Sequence, residues 1–169
     1  RRFGDRLREF APNQVRAVAT NTLRVAKNAS EFLIEAESAL GFPIEVIAGR
    51  EEARLIYLGA SHDAPACQGN RLVVDIGGGS TEFIIGEEFE ALERESLQMG
   101  CIATTRRFFS DGKLSRKRWK EARTEITAEF QQFAAADHRV DPVAARQAGK
   151  RAKGIFDAFL FGQAADRDE

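Results

Sequence analysis

The chain has 169 residues, with 25 Lys and Arg against 26 Asp and Glu, for a formal net charge of −1. That balance excludes a global positive field that would gather nucleic acid, so an anionic substrate must be held by local cations or backbone amides. An apolar fraction of 43% and a charged fraction of 30% fit one packed domain or two small lobes and exclude a disordered chain.

No apolar run reaches the ~18 residues of a membrane helix, and the N-terminal residues contain no apolar signal core. The expectation is a cytoplasmic protein with neither a membrane nor a nucleic-acid partner. Cys67 and Cys101 lack Cys-x-x-Cys spacing, and no His stands at ligand spacing from either, so both read as free thiols. The opening Arg1-Arg2-Phe3-Gly4 has no initiator Met and reads as the middle of a helix, so the expectation is a fragment.

Phe3, Leu7 and Phe10 recur at helical spacing until Pro12-Asn13. Val15 to Ala19 alternates like a short strand, and Thr20, Asn21 or Thr22 could cap the turn after it. Ser30 is the expected N-cap of a helix over Glu31 to Leu40, stopped at Gly41 with Pro43 behind it. Ile44 to Ile47 reads as a strand, Glu51 to Gly59 as a helix, and Ser61 to Asn70 as a loop. Leu72 to Ile76, Thr81 to Gly86 and Leu92 to Leu97 then form strands separated by tight turns, an antiparallel meander rather than a β-turn-helix unit. A helix is expected from Ala103 to Phe109, and a long one from Arg116 to about Phe133, capped by Ser115. His138 to Pro142 reads as a loop, Ala144 to Lys153 as basic and Ala-rich, and Ile155 to Phe161 as apolar.

The chemistry concentrates at Asp75-Ile76-Gly77-Gly78-Gly79-Ser80-Thr81-Glu82. Three glycines after an apolar strand supply backbone able to reach positive φ and approach a ligand closely. Consecutive amides in such a turn form a nest for phosphate, and Ser80 and Thr81 add hydroxyls. Asp75 is placed to hold a divalent cation or a water against that phosphate. The alternative is a hairpin without a ligand. Glu82 either shares a space with Asp75 or merely faces solvent. Glu51 and Glu52 either sit in a first helical turn because the dipole favours acids there, or one of them activates a water. Arg24, after a strand, is either an anion clamp or a surface residue.

Together Ala19-Thr20-Asn21-Thr22-Leu23-Arg24, Ile44 to Leu55 with its Glu51-Glu52-Ala53-Arg54, Val74 to Glu82, and Glu95-Ser96-Leu97-Gln98-Met99-Gly100-Cys101 resemble the exopolyphosphatase / guanosine pentaphosphate phosphatase family. The resemblance runs from about Val15 to about Arg123. It implies an α/β chain of the actin-like ATPase (ribonuclease H-like) fold, two-lobed and incomplete at both ends. Residues 1–69 would finish the first lobe, 70–139 would open the second, and 140–169 would be a divergent tail. It also implies hydrolysis of the terminal phosphoanhydride of polyphosphate or guanosine pentaphosphate with Mg²⁺.

In that family's terms Glu52 resembles the general base, and Asp75 and Glu82 the acids that position metal and water. Gly77, Gly78, Gly79, Ser80 and Thr81 resemble the phosphate loop, and Arg24 an Arg lying along the phosphate chain. Full-length relatives would be homodimers. The family's first loop, Asp-Leu-Gly-Ser-Asn-Ser, has no counterpart in this chain. The alternative function is a catalytically inactive fragment that binds phosphate or the alarmone as a regulator.

Overall fold

The computed structural model describes residues 2–136. Expectations placed beyond Ala136, including the divergent tail at 140–169, lie outside these residues. Helix α1 (Arg2–Leu7) is followed by a 3-10 turn at Pro12–Gln14. Strand β1 (Ala17–Ala19) leads through α2 (Asn21–Val25) and α3 (Ala29–Leu40) to β2 (Ile44–Val46), which pairs parallel to β1. Helix α3 stops where Gly41 takes a left-handed φ of 83°, as the sequence suggests, and the Gly41 amide closes on Glu37 O at 2.8 Å. Its N-cap is Asn28 rather than the expected Ser30, which falls within the first helical turn, and no side chain caps that end.

Helix α4 (Gly49–Asp63) starts two residues earlier and runs four residues further than expected, taking in part of the expected loop. The meander follows as β3 (Arg71–Ile76), β4 (Thr81–Glu87) and β5 (Glu90–Leu97), antiparallel in sequence order. Helices α5 (Cys101–Phe108) and α6 (Arg116–Ala136) complete the described fold, and Ser115 Oγ accepts from the Arg118 amide at 3.3 Å.

Strand β4 is buried along Thr81 to Gly86 because both faces of the sheet are covered. On one face Ala53 and Tyr57 of α4 pack on Ile84, Val73 and Ala91. On the other, Phe83 and Met99 pack with Val74, Ile76, Leu97 and Ile126 of α6. This layering positions the site, because it lays the N-terminus of α4 across one end of the meander. The division drawn at residue 69 therefore runs between α4 and the sheet that α4 packs on. Among the described residues no helix is long and apolar enough to cross a membrane, and Cys67 and Cys101 are free thiols.

Candidate active site

Strand register assembles the acids. Asp75 lies opposite Glu82 in the β3–β4 ladder, and Glu82 lies opposite Ser96 in the β4–β5 ladder. Residues directly opposite point to the same side, and so do residues two apart on one strand. Asp75, Glu82 and Ser96 thus form a row on the face of Val73 and Ile84, the face that α4 covers.

Glu82 is only 1% exposed, and the Ser96 hydroxyl donates to its Oε1 at 2.7 Å. Burial pushes its carboxyl above the usual range. The hydroxyls of Ser96 and Ser80 pull it part of the way back, and the negative charges of Glu52 and Asp75 add to the rise. Of the two readings open for Glu82, the structure favours the shared space over the solvent-facing one. Asp75 is the reverse: it sits exposed at the strand end, so burial is not what calls for a partner there.

The two acids of α4 separate cleanly. Glu51 turns outward to Arg54, which donates to both of its oxygens at 2.8 Å, and that pairing holds the Glu51 carboxyl below its usual range. Glu52 turns inward, where Arg24 Nη1 donates to its Oε2 at 2.8 Å and to the Ile47 carbonyl at 2.9 Å. Both side chains of that pair are largely enclosed, at 17% and 15% exposure. Arg24 Nη2 is buried without a partner among the described residues, a donor left over for an anion. Arg24 is accordingly an enclosed residue and not a surface one.

The glycine turn departs from its expected geometry. None of Gly77, Gly78 and Gly79 has a positive φ; what the turn needs is absence of side chains. A Cβ on Gly79 would come within 2.0 Å of Asn21 Nδ2, and one on Gly78 within 3.1 Å of Ile102 Cδ1.

The donors expected to cradle phosphate are also partly engaged. The Gly77 amide closes the hairpin on Ser80 O at 2.9 Å, the Thr81 hydroxyl donates to Met99 O, and Ser80 is buried beside Glu82, whose carboxyl its hydroxyl pulls back down. These three hold the turn rather than offering donors to a ligand, and Thr81 is fully buried. The amides of Gly78 and Gly79 donate to no acceptor among the described residues. The turn's carbonyls are used as well: Gly77 O accepts from Cys101, and Gly78 O from Ile102 and Ala103, at 2.9–3.0 Å. The first turn of α5 is thereby capped by the glycine turn itself.

Asp75 and Glu82, opposite one another in the β3–β4 ladder, are the carboxylates that could hold a cation. Mg²⁺ typically takes one or two carboxylates and completes its shell with waters and substrate phosphates, so a facing pair suits it. Among the described residues no group of three or more His, Cys, Asp and Glu converges as a metal cage. Two neighbours were not singled out from sequence as site residues. Asn21 has a buried Oδ1 with no partner among the described residues. Ser96 was legible only as a motif member, and counting the ladder from Asp75 would have found it.

The sequence profile of the Ppx/GppA phosphatase family matches residues 1–150, further in both directions than the resemblance read from motifs. The chain is 49% identical over 122 residues to the guanosine-5'-triphosphate,3'-diphosphate pyrophosphatase of Aeromonas hydrophila, covering 72% of this chain and 24% of that protein. Its fold is similar to the Aquifex aeolicus PPX-GPPA enzyme (TM-score 0.62, 33% identity, 82% of this chain and 45% of that one). It is also similar to an exopolyphosphatase from Cytophaga hutchinsonii (TM-score 0.62, 28% identity, 78% of this chain and 41% of that one). The fold class is thus α/β of the actin-like ATPase type, and the chain spans about a quarter of the curated relative it matches.

Proposed function

The chain belongs to the Ppx/GppA phosphatase family, and from the site its residues build we propose that it contributes the catalytic cleft of a phosphohydrolase. The reaction removes the terminal phosphate of guanosine pentaphosphate or of inorganic polyphosphate. Guanosine pentaphosphate is the first choice, supported by the 49% identity to a relative named for that chemistry. The observation that carries the reading is the placement of Asp75 and Glu82 side by side on the sheet face that α4 covers, with Glu52 in the first turn of α4 and a glycine turn with two uncommitted amides at the end of β3.

Glu52, fixed by Arg24, accepts the proton of a water that attacks the terminal phosphorus. The bridging P–O bond breaks, orthophosphate forms, and the shortened polyphosphate or guanosine tetraphosphate leaves. The amides of Gly78 and Gly79 and the spare Arg24 Nη2 receive the terminal phosphate oxygens. Asp75 and Glu82 would hold Mg²⁺, which neutralises phosphate charge when bound.

Phosphate release from each substrate with Mg²⁺ tests this. Glu52→Gln lowers kcat roughly a hundredfold, the low end of general-base effects, because Gln can still orient the water. Unchanged release overturns the assignment of Glu52. Binding of guanosine pentaphosphate with no release by the wild type would point to the regulatory alternative.

A further inference from the structure

We infer that Ser96 is a positioning residue of this site, holding the Glu82 carboxylate in place and keying it to the helix that carries Glu52. The inference rests on the proposed reaction. Three observations carry it. Ser96 is the register partner of Glu82, so its Cβ is on the acid's own face. Its hydroxyl donates to Glu82 Oε1 at 2.7 Å, a charge-assisted bond to a carboxylate that is almost wholly enclosed.

Its other side meets the start of α4. A Cβ built on Gly49 would stand 2.5 Å from Ser96 Cβ, 2.7 Å from its Oγ and 3.7 Å from Arg24 Nη2. Sheet, helix and arginine therefore meet at one small side chain. A larger residue at 96 would push α4 away, whereas Ala would fit but would leave Glu82 without this donor. Size and hydroxyl are separate requirements, so they can be separated by experiment.

Ser96→Ala keeps the packing and removes the donor. Expected is a fall in kcat of about tenfold, with KM within about twofold of wild type, the size typical for loss of a bond to a charged group. Ser96→Cys, close to Ser in size but with only a weak S–H donor, recovers little of that loss. A second measurement is independent of the reaction: a melting-temperature cycle in metal-free protein, crossing Ser96→Ala with Glu82→Met. Ser96→Ala lowers the melting temperature by roughly 3–5 °C when Glu82 is present and has little effect when Met replaces it.

Equal losses in both backgrounds would make Ser96 a packing residue only and overturn the inference, as would an unchanged kcat in Ser96→Ala. If the wild type releases no phosphate, the proposed reaction fails on its own, and the cycle still decides whether Ser96 holds Glu82.

Discussion

Gly100→Ala lowers stability by roughly 3–5 kcal/mol, a large share of what holds a domain together. The new methyl would sit 2.5 Å from the Gly78 carbonyl carbon and 2.6 Å from the oxygens of both Gly77 and Gly78. All three are backbone atoms, so no rotamer change relieves the overlap; the glycine turn and the start of α5 must separate. That separation strains the bonds from Cys101, Ile102 and Ala103 to the turn's carbonyls. It also displaces the Gly78 and Gly79 amides, so phosphate release falls together with stability.

Gly59→Ala is the internal comparison. It makes the same chemical change in the middle of α4, where a Cβ would meet nothing within 4 Å. There Ala gains by helix propensity, and stability rises by about 0.5–1 kcal/mol. Urea denaturation of the two variants should move in opposite directions. If Gly100→Ala melts with the wild type, the seal between turn and helix is not what the packing indicates.

The meander and its glycine turn were legible in the sequence because a period of two broken by tight turns has few other solutions. The helix stop at Gly41 was legible for a similar reason: little besides glycine takes that backbone. What escaped was everything decided by a distant partner. Adjacent helical residues point about 100° apart, so Glu51 and Glu52 cannot both turn inward. The choice is made by Arg24, which arrives from 28 residues upstream. Alternation groups Asp75 with Glu82, but which face is buried depends on where α4 lands. The three glycines suggest unusual backbone, yet Gly78 and Gly79 are needed for the close approach of Ile102 and Asn21. Local pattern carries local conformation, and the site is made of contacts between elements.

Glu82→Gln is expected to raise the melting temperature while reducing turnover about a thousandfold, the scale for removing a preorganised charge at a phosphoryl centre. The two effects share one cause. An enclosed carboxylate near the charges of Glu52 and Asp75 is held at a cost, because burial pushes its carboxyl above the usual carboxylate range. Because the folded value is raised, the folded state binds more protons than the unfolded state between the two values. Stability from this group is therefore fully present below the unfolded value and declines as pH rises through the folded one.

Gln removes that dependence. Its carbonyl still accepts from Ser96, its amide can donate toward Asp75 or Glu52, and no charge is left to desolvate. The gain over wild type should be larger at neutral pH than at pH about 4, where the wild-type acid is itself protonated. Melting curves of the two proteins across that range, measured without metal, give the comparison. A wild-type protein that is the more stable one at neutral pH would mean that Ser96 and Ser80 outweigh the burial of the charge. Glu82 would then be a net support of the fold instead of a strained acid kept for chemistry.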